Sequence, residues 1–177
     1  MTHGDPKNPK MNPHPVKRYE VIATADAPGP WDSVKGYISY DVINPACTPE
    51  DKFLGVHEMP QDVGQDIEMT RINEKTWKGY FYRDLIQDED YYELGVCHWD
   101  ATSVAAVFTV HNEKFAAGSA MKDFTHNGPQ MEYFRKSDFL DRSRTIDGLP
   151  YLTVRPEYIK SPDAFFPITV TVKEATL

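Results

Sequence analysis

Two cysteines, Cys47 and Cys97, are the residues of this chain best placed for covalent chemistry. A single cysteine pair in a small, strand-rich chain is typical of domains that fold in an oxidising compartment. A disulfide between Cys47 and Cys97 would close a loop with a sequence separation of 50. In the chain-entropy model such a bond stabilises a fold by about 4 kcal/mol. The alternative is two buried, reduced thiols, because cysteine is common in protein cores. His98 follows Cys97 directly, but neighbours in a strand point to opposite faces, so they cannot form a nucleophile–base pair. We expect the disulfide, and with it a secreted or periplasmic protein.

Motifs that would make the chain an enzyme are incomplete. His57-Glu58 begins a zinc-binding His-Glu-x-x-His motif, but Gln61 stands where the second histidine belongs. Ser119 and Lys122 match a Ser-x-x-Lys pattern, yet it follows a predicted strand and lacks a later Lys-Thr-Gly. The sequence has no serine elbow, phosphate-binding glycine loop or dinucleotide fingerprint. We therefore predict no enzyme activity, no catalytic residue, no metal and no cofactor.

Aromatic and acidic side chains gather in the middle of the chain. In a strand, the adjacent Tyr80, Phe81 and Tyr82 cannot all face a core, so some must lie outside. Exposed aromatics ringed by charge anchor protein interfaces, although cross-strand pairing would also explain them. The acidic segment 58–68 is expected to be a long exposed loop that carries binding. The predicted partner-binding residues are Asp62, Asp66, Glu68, Tyr80, Tyr82, Asp84, Asp88, Glu89, Asp90 and Tyr91.

The overall composition excludes some classes of function. The formal net charge is −8 at pH 7, which disfavours a nucleic-acid partner because its phosphates would be repelled. Such acidity suits either solubility alone or a partner with a basic surface. Hydrophobic residues make up 40% of the chain, enough for a folded core. No run reaches the roughly 20 apolar residues of a membrane span.

Strands must position these residues, because short runs of alternating apolar side chains dominate the sequence. The runs at 67–72 and 76–82 are expected to form a hairpin, and short helical turns are expected at 48–51 and 137–141. We predict an all-β fold, an antiparallel β-sandwich, immunoglobulin-like or similar, whose sheets the disulfide would join. The predicted strands cover residues 19–25, 34–42, 67–72, 76–82, 91–96, 104–110, 115–117 and 166–172.

The first residues differ from the rest. Residues 1–18 contain four prolines and few apolar side chains, which predicts a flexible leader before a single domain at 19–177. This leader lacks the apolar run of a signal peptide, so export would require a signal that is removed. It would also suit a membrane tether through a processed, lipidated N-terminus.

Three stretches give the chain a resemblance to a known group of proteins. They are residues 78–84, 91–99 and 133–137. Together with the cysteine pair they resemble periplasmic immunity proteins encoded beside type VI secretion effectors, particularly lipase or phospholipase effectors. The resemblance implies an exported β-rich inhibitor that binds one cognate toxin and blocks its active site or its opening motion. It implies no residue role position by position.

Other functions stay open. A carbohydrate- or small-ligand-binding β-sandwich outside the cytoplasm would stack exposed side chains, such as Trp77 or Tyr82, on sugar rings. A structural or adhesion module would self-associate without a dedicated partner. An enzyme, with Ser119 as its nucleophile, is the least favoured of these.

Overall fold

The computed structural model describes residues 3–142 and 150–176. Its strands are β1 (Arg18–Ala25), β2 (Ser33–Val42), β3 (Glu50–Asp51), β4 (Val56–His57), β5 (Val63–Glu68), β6 (Thr70–Arg71), β7 (Thr76–Tyr82), β8 (Trp99–Val110), β9 (Glu113–Ala120), β10 (Gln130–Arg135) and β11 (Phe165–Glu174). Its helices are α1 (Met121–Asn127) and α2 (Lys136–Leu140), with single 3-10 turns at Pro45–Cys47, Pro156–Tyr158 and Pro162–Ala164.

Two antiparallel sheets form the body of the molecule. One has the strand order β10-β11-β1-β7-β6, and the other has the order β5-β2-β8-β9. A third, two-stranded sheet consists of β3 and β4 alone. The predicted all-β antiparallel sandwich with short helices is therefore confirmed, and α2 overlaps the helix expected at 137–141 except at its last residue.

Alternation of side chains explains how the sheets pack. In β2, Ile38, Tyr40 and Val42 are buried, while the residues between them point outwards. Each such side chain stabilises the fold by about 1.5–3 kcal/mol through burial. Trp77 of β7 meets Phe108 of β8 edge-to-face at 5.3 Å between ring centroids, which joins the two inner faces. The core thus lies between the sheets.

The expected strand at 67–72 is in fact two strands in different sheets. β5 pairs with β2, whereas β6 pairs with β7, so only β6 belongs to the predicted hairpin. Met69 lies between them, where the chain crosses from one sheet to the other. Gly79 permits this crossing, because a Cβ there would lie 2.6 Å from the carbonyl oxygen of Glu68.

Two other predictions of local structure are wrong. The helical turn expected at 48–51 occurs earlier, at Pro45–Cys47, because the Thr48 hydroxyl donates to the Pro45 carbonyl. Segment 91–96 is a loop instead of a strand. Glu93 and Gly95 have φ angles of 61° and 111°, in a region that an extended strand excludes.

The acidic segment 58–68, predicted to be a long loop, is a loop only in its first half. Its second half is β5, which forms an edge of the four-stranded sheet. No helix within residues 3–142 and 150–176 is both long and apolar enough to cross a membrane.

Candidate partner-binding surface

Cys47 and Cys97 form a disulfide, as predicted, with their Cα atoms 5.2 Å apart and a sequence separation of 50. The expectation that it joins the two sheets is wrong. Cys47 follows β2 and Cys97 precedes β8, and these strands are neighbours in one sheet that pair through Val42 and Trp99. The disulfide therefore braces one end of the four-stranded sheet, which we call the disulfide end.

Hydrogen bonds around Asn44 reinforce the disulfide end. The Asn44 side-chain amide donates to the Val96 carbonyl at 2.8 Å and accepts from the His98 backbone N–H at 2.7 Å. The Ile43 N–H donates to the His98 carbonyl at 2.9 Å. His98 is exposed while Cys97 and Trp99 are buried, as expected for alternation along an extended chain.

Several predicted partner-binding residues make hydrogen bonds within the fold. The two oxygens of Asp88 accept from the Trp99 N–H at 2.9 Å and from the His98 imidazole at 2.8 Å. An oxygen of Asp90 accepts from the Leu94 N–H at 3.2 Å and so shapes the loop before Cys97. Tyr91 is buried, where its hydroxyl accepts from the indole N–H of Trp99. Burial raises the pKa of Tyr91.

The other predicted residues lie on separate faces. Asp62, Asp66 and Glu68 are exposed, Glu89 is partly buried and Tyr82 is half-buried. Glu68 and Tyr80 line one shallow groove of about 550 Å³, whereas Asp66 lines another on the four-stranded sheet. The structure therefore does not bring the ten residues into one surface.

Tyr80 points away from the core, while Phe81 beside it is buried. This confirms that the adjacent aromatics alternate between faces. The guanidinium of Arg18 lies 3.9 Å from the centre of the Tyr80 ring and covers part of it. Such a contact contributes about 0.5–1 kcal/mol at an exposed site.

The predicted flexible leader covers residues 1–18. Of these, residues 3–17 lie along the loop that precedes Cys97, and Arg18 begins β1. The Asn12 N–H donates to the Leu85 carbonyl at 2.7 Å, and the Gln87 N–H donates to the Lys10 carbonyl at 2.9 Å. Further along, the His3 imidazole bonds to the Glu93 carboxylate at 2.9 Å. That hydrogen bond is the main reason why the pKa of His3 is raised.

Asp84 is the clearest anchor of this segment. Its carboxylate accepts from the Val16 N–H at 2.9 Å and from the Lys17 N–H at 2.9 Å. Hydrogen bonds to a charged acceptor contribute about 1.5–3 kcal/mol each when they are shielded from water, and less here at the surface. Asp84 thus attaches the end of the N-terminal segment to the sandwich through these hydrogen bonds.

Replacing Asp84 with alanine is expected to release this segment without unfolding the sandwich. Amide hydrogen exchange at Val16 and Lys17 should become about tenfold faster, because loss of these bonds makes local opening easier. Hydrogen-exchange mass spectrometry would measure it, with the exposed Asp62→Ala as the matched control. Unchanged exchange in Asp84→Ala would contradict the anchoring role.

A polar pocket of about 430 Å³ lies beside the disulfide end. Within it Arg83 donates two hydrogen bonds to Asp100, at 2.9 and 2.6 Å, and these raise the pKa of the guanidinium. His98 and Asp88 form a second pair on the same lining. These four ionisable side chains are therefore paired within the chain, an arrangement that stabilises the loop.

The structure does not complete either of the two partial enzyme motifs within the residues it describes. The Ser119 hydroxyl donates to the Asp123 carboxylate, while Lys122 is exposed at the start of α1. His57 contacts Thr48 at the base of the small β3–β4 sheet. Across the described parts of the chain, no three His, Cys, Asp or Glu side chains form a group that could hold a metal ion.

Sequence reasoning missed the exposed apolar side chains of the disulfide end. The hairpin of β3 and β4 follows Cys47, and its tip carries Phe53, which is 94% exposed. The loop before Cys97 adds further exposed apolar residues. A signal for the tip was present, since Asp51 and Gly55, both typical turn residues, enclose an apolar pair. The exposed set is Ile43, Phe53, Leu54, Val56, Leu94 and Val96.

Comparisons with models of known protein families, with characterised proteins and with solved structures found no match to this chain.

Proposed function

We propose that this protein is a periplasmic immunity protein that binds and inhibits one cognate secreted antibacterial toxin, of the lipase or phospholipase type. The observation that carries the proposal is the group of exposed apolar side chains at the disulfide end. Apolar groups in water favour burial against a partner, by about 25 cal/mol for each Å² covered. An inhibitor needs such a surface and needs no catalytic group.

The charges around this surface indicate what kind of partner it fits. Three exposed carboxylates lie close in sequence to these apolar side chains, whereas the hairpin has one exposed lysine, Lys52. The carboxylates belong to Glu50, Glu58 and Glu93. With the net charge of −8, these carboxylates favour a partner whose contact surface is rimmed by basic residues. Complementary charge raises the rate of association, while the apolar side chains supply most of the affinity.

The disulfide supports a location outside the cytosol, because such bonds persist in oxidising compartments. We place the protein in the periplasm, where a toxin that attacks lipids would meet its substrate. A lipid tether at a processed N-terminus belongs to the same proposal, and would hold the inhibitor at the membrane.

The sugar-binding alternative has less support from the surface. Trp77 and Trp99 are buried and Trp31 is half-buried, so none of the three tryptophans presents a free indole face. Tyr82 is half-buried as well. Stacking on sugar rings would fall to Phe53 and the exposed tyrosines without a tryptophan, which leaves the protein partner as the stronger proposal.

Co-expression with the product of the adjacent open reading frame tests the proposal. We expect a stable equimolar complex and loss of the toxin's lipid hydrolysis. Leu94→Asp should weaken binding about tenfold or more, because it places a charge in a desolvated contact. Leu152→Asp is the matched control, because Leu152 is also exposed but lies beyond Tyr151, which bonds to Lys114 at the opposite end of the sheet.

Absence of any complex with wild-type protein would contradict the proposal. Equal affinity of the Leu94 and Leu152 variants would move the binding surface away from the disulfide end.

A further inference from the structure

We propose that the hairpin formed by β3 and β4 is a preformed plug that enters an apolar, basic-rimmed substrate cleft of the partner. This inference rests on the proposed function and adds the element that inhibits. It requires three properties of the hairpin: apolar side chains free of the protein's own core, a backbone that holds them out, and charges that select the cleft.

The apolar side chains at the tip point into water. Phe53 is 94% exposed, Leu54 is 66% exposed and Val56 is 54% exposed. Scattered single exposures of this kind are ordinary in soluble proteins, but here three fall within four residues of one turn. None of the three belongs to the hydrophobic core, so replacing them leaves the core unchanged.

The backbone of the tip is held in one shape. The Asp51 carboxylate accepts from the N–H groups of Phe53 at 2.9 Å and Leu54 at 3.1 Å, forming a turn that its own side chain closes. The Gly55 N–H donates to the Asp51 carbonyl at 2.7 Å. Gly55 has a φ of 67°, a conformation that residues with a Cβ rarely adopt.

The base of the hairpin is fixed to the disulfide end. Thr48, next to Cys47, is buried, and its hydroxyl donates to the Pro45 carbonyl at 2.7 Å. The Glu58 N–H donates to the Pro49 carbonyl at 2.8 Å and closes the other side of the base. A loop already in its bound shape loses little conformational entropy on binding, so more of the burial energy appears as affinity.

The charge of the hairpin indicates what kind of partner surface it fits. The hairpin carries three acidic side chains and one basic side chain next to its apolar tip. The acidic residues are Glu50, Asp51 and Glu58, and the basic residue is Lys52. A hairpin that inserts into membranes carries lysine and arginine beside its apolar residues, because lipid surfaces are anionic. Carboxylates favour instead a protein cleft that is apolar within and basic at its rim, and an enzyme acting on lipids needs such an apolar cleft for its substrate.

Single substitutions at the tip test the plug. Phe53→Asp and Leu54→Asp should each weaken inhibition of the adjacent gene's product by at least about 30-fold, as expected for a buried anchor at an interface. Both variants should melt at the wild-type temperature, because these side chains are exposed. Leu152→Asp, with 81% exposure at the other end of the sheet, should inhibit like wild type. Inhibition by wild type should be competitive with lipid substrate.

The outcomes separate this inference from the proposed function. If wild type binds and inhibits and the Phe53 and Leu54 variants do so equally, the plug is wrong while the proposed function stands. If wild type binds nothing, the proposed function fails. If wild type floats with phosphatidylcholine or phosphatidylglycerol vesicles and Phe53→Asp does not, the tip binds membranes and the plug is overturned.

Discussion

Replacing Cys47 and Cys97 together with alanine is expected to lower the free energy of unfolding by about 4 kcal/mol. The bond closes a loop of 50 residues, and without it the unfolded chain gains the freedom that the loop had removed. For a chain of this length the melting temperature should fall by about 8–16 °C. Differential scanning calorimetry of the oxidised wild type and the double variant would measure both quantities.

A reducing agent provides the control for this prediction. It should lower the melting temperature of the wild type towards that of the double variant, and should leave the variant unchanged. Equal melting temperatures for oxidised wild type and double variant would mean that the disulfide does not support the fold.

Replacing Phe115 with alanine should destabilise the protein by about 4 kcal/mol, as is usual for a large aromatic in a core. Phe115 is fully buried in β9, with its ring centroid 4.7 Å from that of Tyr151 and 5.3 Å from that of Trp31. Its ring also faces Phe166 of the opposite sheet at 5.8 Å. The substitution leaves a cavity where both sheets and the segment after α2 converge, and only part of it can close.

Chemical denaturation would measure this loss, with Tyr158→Ala as the comparison. Tyr158 is 67% exposed, so its removal should change the free energy of unfolding by less than about 0.5 kcal/mol. A small effect at Phe115 would show that the aromatic cluster repacks around the gap.

Strands were predictable where buried and outward side chains alternate regularly, whereas β10, in which Phe134 is the one buried residue, was not predicted. In β2 and β11 the buried residues alternate with outward ones, and the sequence carries that period directly. The strand predicted at 91–96 is wrong, because Tyr91 is buried within a loop and the φ angles of Glu93 and Gly95 exclude a strand. Aromatic residues made that loop look like a strand.

The crossing of the chain between the two sheets at residues 67–72 could not be predicted from the local sequence pattern. Residues 67–72 carry strand-forming side chains throughout, but β5 and β6 belong to different sheets. The division depends on pairing with Gly36 in one sheet and on close approach to Gly79 in the other. Gly36 lies 31 residues before Ile67, and both glycines are outside the segment, so periodicity within residues 67–72 does not reveal either contact.

The candidate site was predicted only in part. Of the acidic residues predicted to bind a partner, Asp84 and Asp88 accept hydrogen bonds from the chain itself. Asp84 meets the Val16 N–H across 68 residues of sequence, a contact that composition does not reveal. The exposed Phe53 was missed because an apolar residue normally indicates burial.

The sequence by itself determined the fold class and the cysteine pair. Alternation is a local property of strands, and two cysteines leave a single possible bridge within the chain. Only the tertiary structure decided which carboxylates are engaged and which apolar side chains remain in water. Exposure depends on what distant segments cover: Val16 and Lys17 bond to Asp84, whereas no core residue in the described parts of the chain covers Phe53.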